Sequence, residues 1–330
     1  MKKFFAFAIA AVALTVGCQK IQDIVNPDNA QVDETDLVEI KFSTNIATVE
    51  TKSVSTLTGL NLHVYGINNT NTGKREFYDV ATAGAEDAGK VELTLTNGPY
   101  YYNGNNDLYS FYGYYLDGAT VTGTELSATN YTTTVTINGK NDILLAEGDD
   151  NGNYCGKEAR NGNNPHLTFK HALSQLKFSA VNLGSEDIEL TAVTVKTDNT
   201  GEVTVAGATP AATATASLTD FALDMQALSL SPLGNDTPVD DDYEKVIDAS
   251  SNESELIVFP GASECTLYFT LTQGTDTREF EYKLTQALAA GNSYQLKLKL
   301  YSLEQIEITA SLTAWDVQSI EIDADDATEL

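Results

Sequence analysis

The sequence predicts a mostly β protein built as two β sandwiches in series, and three observations predict it. Apolar residues recur at every second position over short stretches, Gly/Asn/Asp turn clusters separate those stretches, and helical periodicity is scarce. "LVEIKF" puts Val38, Ile40 and Phe42 on one face and Glu39 and Lys41 on the other; "KVELTL" does the same with Val91, Leu93 and Leu95. "CTLYFTL", "FEYKL", "YQLKLKL" and "IEITASL" continue the pattern, with "TNG", "NGNN", "LDG", "DNTG", "QGTD" and "AAGN" as intervening turns. "TDFALDMQAL" is the one stretch for which a short helix is arguable. The strands are too many for one ordinary sandwich, so two are expected.

Residues 1–17 read as a signal sequence, because Lys2 and Lys3 precede the apolar run "FFAFAIAAVALTV" and then the small Gly17 before Cys18. That run falls short of the roughly 20 residues a membrane-spanning helix needs, and no other apolar stretch approaches that length. Cys18 directly after Gly17 resembles a bacterial lipoprotein processing site, which implies a diacylglycerol on the thiol and Cys18 as mature N-terminus. Leu14 stands one position further upstream than in the usual pattern, with Thr15 in its place. Residues 18–35, which include all but the last residue of "VNPDNAQVDETD" (Val25 to Asp36), are polar and acidic and read as a flexible tether. Strands begin at residue 36. The Asn/Gly-rich "EGDDNGNYCGKEARNGNNP", from Glu147 to Pro165, interrupts them and divides an N-terminal domain, 36–164, from a C-terminal one, 165–330.

With 47 acidic against 19 basic side chains the formal charge is −28, which repels a phosphate backbone and argues against a nucleic-acid partner. No C-x-x-C occurs, His63, His166 and His171 have no metal-ligand spacing, and no cofactor or metal is expected. Beyond Cys18, only Cys155 and Cys265 remain, and they can pair or stay free. Asp149, Asn151 and Asn153 have the one-three-five spacing of a calcium loop. Tyr154 stands where that loop needs glycine and Arg160 where it needs a bidentate glutamate, so a solvated turn is expected. The acidic run "VDDDYEKVID" reads as a solvated loop too.

"FKHALSQLKF" sets His171 three residues before Ser174, the one arrangement that invites a nucleophile-and-base reading. Parity argues against it. Leu167, Phe169, His171 and Leu173 share one strand face while Leu176, Phe178 and Ala180 occupy the other, so the buried face changes between Leu173 and Leu176, at a bulge or a crossing between sheets. Ser174 then faces away from His171, and no catalytic residue is expected. Tyr100, Tyr101, Tyr102, Tyr109, Phe111, Tyr112, Tyr114 and Tyr115 could stack on sugars, but alternating aromatics are ordinary strand formers and no grouped Asp/Asn/Trp set accompanies them; sheet packing is expected. Trp315 is expected to plug the end of a sandwich.

"LTFKHALSQLKF" resembles the strand signature of the fimbrillin family, the two-domain lipoprotein pilins of type V pili. "LYSFYGYYLDG" is similar to its aromatic strand, "NDILLAEG" to its D-[IL]-L-x-A strand, "AAGNSYQLKLKL" to its late glycine-led strand and "LTAWDVQSIEID" to its closing tryptophan strand. The resemblance implies two transthyretin-like sandwiches, no enzymatic activity, and a surface fimbria on the outer membrane that supports adhesion. It further implies assembly by strand exchange, in which an extracellular trypsin-like protease frees a strand near the N-terminus and the C-terminal strand of another subunit replaces it. In this chain the displaced strand would be 36–52 with Val38, Ile40 and Phe42, the cleavage site Lys52, and the donor strand Val317, Ile320 and Ile322, followed by a soluble acidic tail, "ADDATEL". The family's usual cleavage residue is arginine, and here the arginines are Arg75, Arg160 and Arg278, all well inside the fold. Either a lysine-accepting protease acts or the subunit is an unprocessed anchor or tip accessory. A surface glycan-binding lipoprotein on the same fold is the other alternative, and a host glycan or protein partner is left open.

Overall fold

The computed structural model describes residues 37–46, 56–87, 90–233, 245–246, 255–303, 305–313 and 328–329. Cys18, Lys52, Trp315, and Val317, Ile320 and Ile322 lie outside the described residues, as do the signal sequence, the whole tether and most of the acidic run. The first half contributes β1 (Phe42–Ile46), β2 (Asn61–Asn68), β3 (Phe77–Asp87), β4 (Lys90–Leu95), β5 (Tyr109–Tyr115), β6 (Thr120–Val121), β7 (Thr132–Thr136), β8 (Leu144–Gly148), the short helix α1 (Gly156–Arg160) and β9 (His166–His171). The second contributes β10 (Ser174–Asn182), β11 (Ile188–Thr204), β12 (Ala211–Ala222), β13 (Leu228–Leu230), β14 (Lys245–Val246), β15 (Glu255–Val258), β16 (Cys265–Gln273), β17 (Asp276–Lys283), β18 (Ser293–Ser302), β19 (Gln305–Thr313) and β20 (Thr328–Glu329). The mostly β class read from the period-two pattern is the class observed.

Seven strands of the first half close into a flattened barrel in the order β1-β4-β3-β2-β5-β8-β9, with a parallel β1–β9 pair completing the ring. Its interior gathers Ile40, Phe42, Phe77, Phe111, Leu167 and Phe169 with their neighbours. Two glycines make room for the large rings. A Cβ on Gly66 would lie 2.3 Å from the Phe77 ring, and one on Gly113 would lie 2.7 Å from Phe169, so each aromatic lies across a strand position that has no side chain.

The second half is a sandwich. One sheet runs β14-β10-β18-β19, with β15 also on β10. The other runs β20-β17-β16-β11-β7-β6, with β12 and β13 also on β11. Leu176, Phe178, Leu296 and Leu298 of the first sheet share one core with Val195, Leu267, Phe269 and Phe280 of the second.

Two strand placements bear on the division expected at 164/165. β9 follows Pro165 yet pairs with β1 and β8 inside the barrel, and the change of sheet comes between His171 and Ser174. The excursion β6–β7 leaves the barrel between β5 and β8 and joins β11 of the second sandwich, pairing Thr132–Thr136 with Thr204–Thr200. Turn composition marks where a chain leaves a sheet and carries no information on which sheet it enters next.

The face change inferred in "FKHALSQLKF" is a crossing between sheets: Leu167 and Phe169 lie in the barrel core, whereas Leu173, Leu176, Phe178 and Ala180 lie in the sandwich core. "TDFALDMQAL" is not helical. Its first part continues β12, with Phe221 opposite Val195, because Phe221 and Leu223 are buried at a spacing of two and tertiary pairing overrides helix propensity. Among the described residues the helix is α1, in the Asn/Gly-rich stretch, where none was expected. At the other end, Thr328 and Glu329 pair with Glu281 and Phe280 of β17, so the tail read as solvated ends on a sheet edge.

Candidate functional site

The segment Val38–Ile46 has backbone partners along its length, and at Ser43 and Thr44 it is paired on both sides. Before β1, the Ile40 N–H donates to the Tyr100 carbonyl at 2.8 Å and the Tyr102 N–H to the Val38 carbonyl at 3.0 Å. Within β1, Phe42, Ser43 and Thr44 pair antiparallel with Leu93, Glu92 and Val91 of β4. On the other side Ser43, Thr44, Asn45 and Ile46 pair parallel with His166, Leu167, Thr168 and Phe169 of β9.

Side chains follow the alternation read from the sequence. Ile40, Phe42 and Thr44 are 2%, 4% and 0% exposed, while Glu39 and Lys41 face solvent 3.7 Å apart. Phe42 meets Phe111 and Phe77 edge-on, with centroids 5.1 and 6.2 Å away. Thr44 sits inward where an apolar residue would be expected, and its hydroxyl donates to the Leu167 carbonyl at 2.6 Å. The Ser43 hydroxyl and His166 Nδ1 are 2.9 Å apart. Period-two logic identified Val38, Ile40 and Phe42 as one face; it missed Thr44, Ser43 and His166. The hydroxyls in "KFST" were the available signal.

If β1 left, β4 and β9 would each present an unpaired edge, and the barrel interior would open at the seats of Ile40 and Phe42. Such a groove recognises an extended strand by backbone bonding and by alternate pockets.

The other residues singled out in the sequence make local contacts. His171 Nδ1 lies 2.5 Å from Asp142 Oδ2, both buried, so the imidazole N–H donates to the carboxylate and ties β9 to the entry of β8. The Ser174 hydroxyl donates instead to the Ala289 carbonyl at 2.9 Å. The two are not brought together. Asn151 Oδ1 accepts the Phe111 N–H, the Asn153 amide donates to Asp150, and the Tyr154 hydroxyl donates to Asp149, so the calcium-like spacing is used up in a turn. Among the described residues no three His, Cys, Asp or Glu side chains form a metal-holding group, and no helix is long and apolar enough to cross a membrane. Cys155 and Cys265 are buried and free, and burial pushes the Cys265 thiol up to about 12.

The aromatic strand divides its side chains between two cores. Tyr109 and Phe111 of β5 point into the barrel; Tyr112 and Tyr114 point out of it toward the sandwich. There His63 stacks between Tyr78 and Tyr114, with centroids 5.7 and 4.5 Å away. Of this cluster Tyr102, Tyr109, Phe111 and Tyr114 are buried, whereas Tyr100, Tyr101, Tyr112 and Tyr115 are half-buried.

Burial gives these rings an alkaline signature. Desolvation pushes Tyr109 up to about 12, and desolvation with the nearby Asp79 charge pushes Tyr100 up to about 12. Tyr65, Tyr102, Tyr114 and Tyr154 are raised too, burial being the first cause in each. An unfolded tyrosine ionises near its ordinary value of 10.0, whereas the folded chain holds these phenols neutral beyond it. Their contribution to stability is therefore complete below pH 10.0 and lost as pH rises from there through about 12. Phenolate absorbance and circular dichroism recorded together should show a late-ionising set of tyrosines appearing as the β signal collapses. Ionisation of every tyrosine near pH 10.0 with the fold intact would contradict the packing described.

Comparison with known proteins adds the family. Residues 47–315 match the family model described as fimbrillin-like. Among solved structures, a candidate cell adhesion protein from Bacteroides uniformis is similar over 86% of this chain and 100% of its own, at 16% identity and a TM-score of 0.55. Another, from Bacteroides ovatus, is similar over 86% of this chain and 99% of its own, at 17% identity and a TM-score of 0.51. At these identities the likeness is one of fold. No curated protein sequence matches the chain.

Proposed function

The chain belongs to the fimbrillin-like family, and on that premise we propose that it is a structural subunit of a cell-surface fimbria, exported as a lipoprotein and joined to its neighbours by strand exchange. One observation carries the reading: the barrel is closed by a short N-terminal strand with its neighbours on both sides and two hydrophobic seats beneath it, and the sequence that follows holds Lys52. Removal of β1 by an extracellular trypsin-like protease that accepts Lys52 would create the acceptor groove. The C-terminal segment with Val317, Ile320 and Ile322 is the donor. Lysine is the residue available, because the Arg75 guanidinium is bonded to the Tyr102 carbonyl at 2.7 Å and Arg160 lies in α1.

Cys18 carries the lipid that holds the precursor on the outer membrane. Acyl chains contribute about 0.8 kcal/mol per buried CH₂, enough with more than one chain for stable anchoring. Cys18→Ala should therefore move the unassembled protein from the outer-membrane fraction to the soluble one; retention in the membrane would contradict the anchor.

Truncation after Trp315 tests the donor. It should leave a chain with a normal cooperative melt that forms no fibres in electron micrographs after protease treatment. If circular dichroism instead shows the β signal lost, the segment completes its own domain and is not a donor.

A further inference from the structure

We infer that the cleft between the barrel and the sandwich binds a neutral saccharide, held by side chains from both halves of the chain. The cleft is distinct from the groove beneath β1, and its ligand does not depend on strand exchange.

The cleft has a volume of about 750 Å³, within the range of small-molecule sites, and it lies where such sites are common, at the junction of two packed units. One wall is the outer face of β8 and β9. Leu145 and Glu147 share that face with Thr168 and Lys170, since Leu145 stands opposite Lys170 and Glu147 opposite Thr168. Asp149, just past the end of β8, and Ala172, at the crossing into β10, continue the lining. The facing wall belongs to the sandwich: Pro210 and Ala212 around the β11–β12 turn, and Ala290 and Asn292 in the β17–β18 turn.

Both walls are fixed in place. The Gly291 N–H donates to the Leu173 carbonyl at 2.8 Å and the Gln175 N–H to the Asn292 carbonyl at 2.9 Å, which ties the β17–β18 turn to the start of β10. β8 and β9 are paired with each other from Leu144 to Gly148. A preformed cleft of this kind loses little to ordering when a ligand arrives.

Charge decides the class of ligand. Glu147 and Asp149 repel an anion, and Lys170 repels a cation. Among the described residues, the side chains of Glu147, Thr168, Lys170 and Asn292 are not spent on a hydrogen bond or an ion pair. Carboxylates accept, an ammonium donates, and hydroxyl and amide groups do both. A sugar hydroxyl also does both, and it carries no charge for either sign to repel. Leu145, Ala172, Pro210 and Ala212 add small apolar contacts suited to the C–H face of a sugar ring. A peptide suits the cleft less well, because an extended chain is recognised at an unpaired sheet edge and β8 spends its two edges on β5 and β9.

The test uses the mature chain, uncleaved, with four neutral disaccharides: lactose, cellobiose, mannobiose and chitobiose. Sialyllactose and tetra-alanine serve as the anionic and peptide counterparts. Binding is read by saturation-transfer NMR and by titration of protein amide resonances. At least one neutral disaccharide should bind saturably, and both counterparts should bind more weakly. Ala290→Trp, which fills the cleft from an exposed position, should abolish binding. Glu147→Ala and Asn292→Ala should each weaken it about tenfold, the loss expected for one hydrogen bond to a ligand, with the melting temperature unchanged. If Ala290→Trp lowers the melting temperature, these two variants decide the site. Saturable binding of none of the four disaccharides overturns the inference. Binding that survives all three substitutions overturns it too, since the ligand would then lie elsewhere, and tighter binding of sialyllactose or tetra-alanine overturns the class.

Discussion

Phe42→Ala is expected to lower stability by about 3–5 kcal/mol, the usual cost of deleting a buried phenylalanine ring. The ring is 4% exposed and packed edge-on against Phe77 and Phe111, so little nearby can collapse into the space. This substitution should also do something that an ordinary core truncation would not. It removes the main advantage of β1 over a competing strand, so the uncleaved variant should form short fibres slowly at high concentration while the uncleaved native chain stays monomeric. Chemical denaturation gives the stability and electron microscopy the fibres. A destabilised variant that remains strictly monomeric would mean that β1 is a core strand and nothing more.

His171→Ala supplies the contrast. The substitution takes from the buried Asp142 side chain the imidazole that faces it at 2.5 Å, and leaving a buried acid short of a hydrogen-bond partner costs on the order of 3 kcal/mol. The loss should rival that of Phe42→Ala in a denaturation curve. Fibre formation before cleavage should not appear, because His171 lies at the crossing from barrel to sandwich and pairs with Leu144 of β8, beyond the His166–Phe169 stretch that pairs with β1. Ser174→Ala should cost only about 1 kcal/mol, the value of one hydrogen bond to a carbonyl. Polymerisation of uncleaved His171→Ala to the same extent as Phe42→Ala would show that general destabilisation, and not loss of β1, opens the groove.

The sequence carried the closing strand well, because strand periodicity is local: Ile40 and Phe42 inward and Lys41 outward follow from alternation alone. The crossing after His171 was legible for the same reason, since a change of parity between Leu173 and Leu176 has few physical causes. What the sequence could not carry was partnership. Nothing in "TTTVT" says that Thr132–Thr136 leaves the barrel to pair with β11, and nothing in "HLTFKH" says that it follows the Asn/Gly-rich stretch only to pair with β1. Those are long-range choices made by the packing of whole sheets. Thr44 was overlooked because an inward hydroxyl departs from the binary pattern, and the Leu167 carbonyl that satisfies it lies 123 residues away. The aromatic cluster was placed in the cores on composition, but its division between two of them follows from β5 being buried on both faces.

The central claim is that β1 leaves its own barrel when subunits join. N-terminal sequencing of subunits taken from assembled fibres addresses it most directly. The account predicts chains that begin at Ser53, immediately after Lys52, with residues 37–46 absent from the washed fibre. Fibres whose subunits still carry the segment from Val38 to Phe42 in place would contradict it.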